Sequence, residues 1–96
     1  MNNANWPFQE EKNVATFTTK QVIEDNYPIL RVTHDEEDGG WQVLCGTTNK
    51  SEDARIVSLY SLYEKDQSIG ELVDLPLGWV AWRESKDSGW KREKRK

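Results

Sequence analysis

Ninety-six residues, 31% of them charged, predict a single globular domain with a charged surface and only one small core. The net charge of −4 is unevenly placed. The last six residues, KREKRK, hold five cations and one anion (+4), which leaves eight cations and sixteen anions (−8) on the other ninety. An acidic body argues against general nucleic-acid binding, which needs a basic footprint facing phosphates, and it favours a cationic partner.

The single cysteine, Cys45, leaves no internal disulfide to form. No run approaches the roughly 20 apolar residues of a membrane span, and MNNANWPFQEEKN lacks the cationic start and apolar stretch of a signal peptide. The expected location is cytoplasmic, with no membrane contact. Five tryptophans, three tyrosines and two phenylalanines are available to fill most of the core, at roughly 150–250 Å² buried by each.

In chain order, residues 1–12 are polar and predict a loosely ordered segment, pinned by Trp6-Pro7-Phe8. Residues 13–90 then form the domain and 91–96 a basic, solubilising tail. Val14 to Thr18 is β-branched and alternating, a strand; Lys20 to Asp25 fits one short helical turn with Val22 and Ile23 inward. Pro28 resets the chain. Ile29 to His34 and Trp41 to Gly46 alternate on either side of a polar, glycine-ended segment, which predicts a β-hairpin with Trp41, Val43 and Cys45 on one face.

Thr47 to Asp53 reads as a loop. Beyond it, Ile56, Leu59, Tyr60 and Tyr63 fall at helical spacing, although Ile56-Val57 fits the end of a strand equally well. Asp66 or Ser68 caps a following helix, with Ser68 and Glu71 at capping-box spacing and Ile69, Leu72 and Val73 inward; Gly70 keeps it short. Trp79 to Glu84 alternates again, Asp87-Ser88-Gly89 turns, and Trp90 opens a final edge strand before the tail. The sum is an α+β single domain, a small antiparallel sheet with one or two short helices packed on one face.

The stretch DEEDGGW raises the question of chemistry. Calcium loops alternate their oxygen ligands and close on a glutamate, whereas Asp35, Glu36, Glu37 and Asp38 are consecutive with no closing glutamate. His34 is the only histidine, which removes multi-histidine metal sites. A His34–Cys45 catalytic pair requires the hairpin to bring them together. No glycine-rich phosphate loop, serine elbow or kinase signature is present, so neither catalysis nor a cofactor or metal is expected. Three Gly-Trp pairs, at 40–41, 78–79 and 89–90, each suit a turn followed by a strand whose indole covers the core rim. An exposed indole would instead serve as a partner anchor.

Taken together, these motifs resemble the bacterial immunity protein 33-like domain family. The resemblance rests on Thr19-Lys20-x-Val22-Ile23, on Pro28-Ile29, and on the acidic loop closing in Gly40-Trp41 with its strand ending at Gly46. It continues through Ile56-Val57-x-Leu59, Asp66-x-Ser68-Ile69 and Leu75-Pro76-x-Gly78 before an aromatic strand to Arg83, and so spans roughly residues 17–84. Thr33-His34 and Val43-Leu44 depart from the pattern, which has a basic-acidic pair and aromatics there. The resemblance implies a non-enzymatic protein that binds and neutralises a bacterial toxin. On that reading Asp35, Glu36, Glu37 and Asp38 steer a cationic toxin domain and Trp41 anchors it. The alternative is a small cytoplasmic regulatory or interaction domain unrelated to toxins.

Overall fold

Six short strands form one sheet in the computed structural model, which describes residues 6–47 and 50–95. Its strands are β1 (Ala15–Thr19), β2 (Arg31–His34), β3 (Trp41–Leu44), β4 (Ala54–Ser58), β5 (Trp79–Trp82) and β6 (Lys91–Lys94). Two short α-helices, α1 (Lys20–Glu24) and α2 (Leu59–Lys65), and 3-10 turns at Ser51–Asp53 and Gln67–Leu72 complete it. The strand order is β4-β1-β3-β2-β5-β6. The helices lie on one face: Val22, Leu59, Leu62, Ile69 and Leu72 pack in one cluster with Val32, Val43 and Ala81 of the sheet.

The α+β class is as expected, but the sheet is larger than the sequence suggested and it is mixed. β1 pairs parallel with β3, and every other pair is antiparallel. The reason lies in the return path. After β1 the chain reverses through α1 and lays β2 two strand positions away, leaving a gap between them. The hairpin brings β3 back into that gap, so β3 runs the same way as β1.

Two further expectations are corrected. The expected final edge strand forms, but inside the expected tail: Lys91–Lys94 pairs in full register with β5, from Trp82↔Lys91 to Trp79↔Lys94. And the core is mainly aliphatic: among the aromatics only Phe8 and Trp41 are fully buried, while Trp6, Tyr63, Trp79 and Trp90 pack partly exposed against it. Large rings seldom lose all contact with water, so most of them cover the rim. Of the expected loose N-terminal segment, residues 1–5 lie outside the described residues. The expected pin at Trp6-Pro7-Phe8 is present: Phe8 is buried, and Trp6 meets Tyr63 edge-on at 5.4 Å and donates its indole N–H to the Glu10 carbonyl at 2.8 Å.

Of the two readings of the stretch 54–65, Ile56-Val57 does end a strand, and the helix begins only at Leu59. Strand alternation runs to Ser58, whose hydroxyl accepts from the Ser61 N–H at 3.1 Å and caps α2. Leu59 and Leu62 therefore point inward, while Ile56 and Tyr60 are exposed. The next turn is capped by Asp66 rather than Ser68, through the Ser68 N–H at 3.0 Å, and Val73 is exposed rather than buried. Gly70 sits here because a Cβ would stand 3.0 Å from the Tyr63 ring and 3.2 Å from Pro7.

Arg83 locks the helical layer to the sheet. Its guanidinium is buried and donates to the Ile29 carbonyl (2.9 Å), the Ser68 hydroxyl (2.9 Å), the Lys86 carbonyl (3.2 Å) and the Asp66 carboxylate. The Trp90 ring covers it at 4.1 Å. Burial pushes the Asp66 carboxyl up, but hydrogen bonds from Ser68 and Arg83 and the Arg83 charge outweigh burial and hold it below its ordinary value.

Candidate functional site

The hairpin of β2 and β3 carries the acidic tip at its turn. Asp35 N–H donates to the Gly40 carbonyl (2.8 Å), Gly39 N–H to the Asp35 carbonyl (2.9 Å) and Gly40 N–H to the Asp38 carboxylate (2.8 Å). Each of these bonds closes within the tip, so its shape is set locally. The four carboxylates are not equivalent. Asp35 is half-buried, accepting from Gln42 Nε2 at 2.8 Å and from Arg95 at 3.4 Å, whereas Glu36, Glu37 and Asp38 are exposed. Arg95 stands immediately after β6, so the basic end of the chain partly neutralises the acidic tip. Together with Gln42 and Gly78 these residues line a groove of about 460 Å³.

Gly78 belongs to the same construction. It adopts a φ of 82°, donates to the His34 carbonyl at 2.7 Å and brings its Cα against Glu36, where a Cβ would meet the carboxylate at 3.2 Å. The neighbouring Leu77 is 52% exposed.

Trp41 is not part of this surface. It is 3% exposed, stacked on His34 at 3.9 Å with 7° between planes, and met edge-on by Phe8 at 5.6 Å. The expectation of Trp41 as a central anchor is therefore corrected: the alternation that makes it the first residue of β3 also turns it into the core. Its indole N–H has no hydrogen-bond partner among the described residues.

His34 and Cys45 lie apart. His34 opposes Trp41 at the tip end of the hairpin, and its Nδ1–H donates to the Leu75 carbonyl at 2.7 Å, leaving Nε2 4.0 Å from Glu10. Cys45 follows the other end of β3, where its sulfur meets the hydroxyls of Thr19 (3.4 Å) and Thr47 (3.1 Å). The hairpin separates the two groups rather than joining them. Among the described residues no grouping of three or more His, Cys, Asp or Glu is arranged to hold a metal, and no helix is long and apolar enough to cross a membrane.

Sequence reasoning missed Arg95, Gln42 and Gly78 as members of the acidic surface. Gln42 was legible as the residue alternating opposite Trp41 and Val43. Arg95 depends on β6 forming, for which KREK offers no apolar signal. Comparison of the chain with models of known protein families, with curated proteins and with solved structures finds no match.

Proposed function

We propose that this chain is a non-enzymatic, cytoplasmic binding domain that neutralises a cationic bacterial toxin by docking it at the acidic tip. One observation carries the reading: Glu36, Glu37 and Asp38 stand exposed on a turn whose backbone bonds close upon themselves. Charges fixed in this way steer a basic partner and cost little ordering on encounter. The motifs resembling immunity protein 33-like domains supply the toxin as the partner class.

In this mechanism the three exposed carboxylates meet cations of the partner, and a partner arginine or lysine competes with Arg95 for Asp35. The apolar contact falls to Leu77, the exposed chain neighbour of the groove residue Gly78, in place of Trp41. Trp41 and His34 act only by holding the hairpin against the core.

The test is co-expression with the product of any toxin-like reading frame adjacent to the gene. Wild-type protein restores growth, and the triple variant Glu36→Lys, Glu37→Lys, Asp38→Lys at equal abundance does not. Equal protection by the reversed tip overturns the reading. A partner that binds the tip but has no toxicity moves the protein to the general interaction-domain alternative.

A further inference from the structure

The two edges of the sheet differ sharply. β6 presents Lys91, Arg92, Glu93 and Lys94, all exposed, so a second copy meeting this edge would face like charges. β4, Ala54–Ser58, is the other edge and carries a single charged side chain, Arg55. Ile56 at its centre is 61% exposed, and directly beside it on the open face is Phe17, 48% exposed.

The backbone of β4 is oriented to pair again at Ile56, while the Ala54 N–H is already bonded to the Ser51 carbonyl. Leu59 N–H donates to the Val14 carbonyl at 3.0 Å, which continues the β1–β4 ladder and sets its phase. Residues two apart repeat that phase, so Arg55 and Val57 bond to β1 while the N–H and C=O of Ile56 point away from the sheet. A strand laid antiparallel about Ile56 exchanges both bonds with it. The sequence Ala-Arg-Ile-Val-Ser suits a copy of itself in that register. Ile56 opposes Ile56, small Ala54 opposes small Ser58, and Arg55 opposes Val57 rather than another arginine.

Charge permits the same arrangement. Arg55 reaches the two-fold axis already paired with Glu24 at 3.3 Å, so each copy brings a neutral pair. Its guanidinium also donates to the Ala54 carbonyl at 2.9 Å, which keeps a second lone pair for the partner strand.

We propose that two copies of this chain join through β4, antiparallel about a two-fold axis at Ile56, into one continuous sheet. The two Ile56–Phe17 pairs then form a single apolar strip across the axis, and isologous pairing closes the assembly at two copies. The acidic tips lie away from this edge and stay open in the dimer.

Sedimentation equilibrium of the full chain, up to about 1 mM at the weak end of the affinity scale, is the test. The wild type gives twice the mass of one chain. Ile56→Lys returns it to the single-chain mass with an unchanged circular-dichroism spectrum, and so does Ile56→Pro, because the N–H it removes is not one that bonds β1. Lys94→Glu leaves the dimer intact. A single-chain mass for the wild type throughout, a dimer surviving both Ile56 variants, or a mass growing beyond two copies each overturns the proposal. None of these outcomes depends on toxin binding at the tip.

Discussion

Two charged regions of this molecule put their charges to opposite uses. At Arg83 a guanidinium is buried, and the Ile29 and Lys86 carbonyls, the Ser68 hydroxyl and the Asp66 carboxylate all accept from it. At the hairpin tip Glu36, Glu37 and Asp38 face water, and the turn's shape comes from the backbone and Asp38 rather than from ion pairs. A buried charge is costly unless satisfied, so its partners become part of the fold. An exposed carboxylate is already satisfied by water and contributes little to stability. The lesson is that formal charge does not mark function; charge that the fold does not consume is what remains for a partner.

The largest effect that would break this comparison is at the lock. Asp66→Ala leaves the Arg83 cation buried without its carboxylate, and we expect a loss of about 3–5 kcal/mol in urea unfolding. A loss within about 0.5 kcal/mol would make Arg83 no more structural than a surface residue.

Acid sharpens the same point at smaller scale. The Asp66 carboxyl is held below its ordinary value, so the native state binds fewer protons there than the unfolded chain. Its contribution is fully present above the unfolded value of about 3.9 and is lost as pH falls through the lower folded value. The urea midpoint should therefore drop below about pH 4. Asp66→Asn should flatten that part of the profile, and an unchanged profile would remove Asp66 as its source.

The smallest effect belongs to the tip. Glu36→Gln, Glu37→Gln and Asp38→Asn together should shift stability by no more than about 0.5 kcal/mol, apart from the weak loss of one carboxylate acceptor for Gly40 N–H. A thermal melt matching the wild type supports a tip free for binding; a large drop would make it a second structural lock.

How far this contrast was legible from sequence can be argued from particular residues. The hairpin was, because alternation of Trp41, Val43 and Cys45 against Gln42 and Leu44 is a local pattern, and the burial of β3 follows it. Alternation over Trp79 to Glu84 sets Ala81 and Arg83 on one face, but it does not say which face is inward, since Val80 and Ala81 are both buried. The partners of Arg83 were not legible, since Ile29 is 54 residues away and Asp66 is 17. The 56–63 spacing admits both a strand end and a helix because the two meet at Ser58, and positions counted across such a junction do not share a face.

Local chemistry by itself determined the hairpin, the turn before the β5 tryptophan and the carboxylates left in water at the tip. Only tertiary structure decided that β1 lies parallel to β3, that β6 runs through the basic end of the chain, that Arg95 reaches Asp35 and that Ile56 is left on an open edge. Side-chain alternation and turn residues act between neighbours and can be read along the chain. Strand order, edge pairing and the satisfaction of a buried cation are settled between residues far apart, where the hydrogen bonds a strand offers matter more than its own composition.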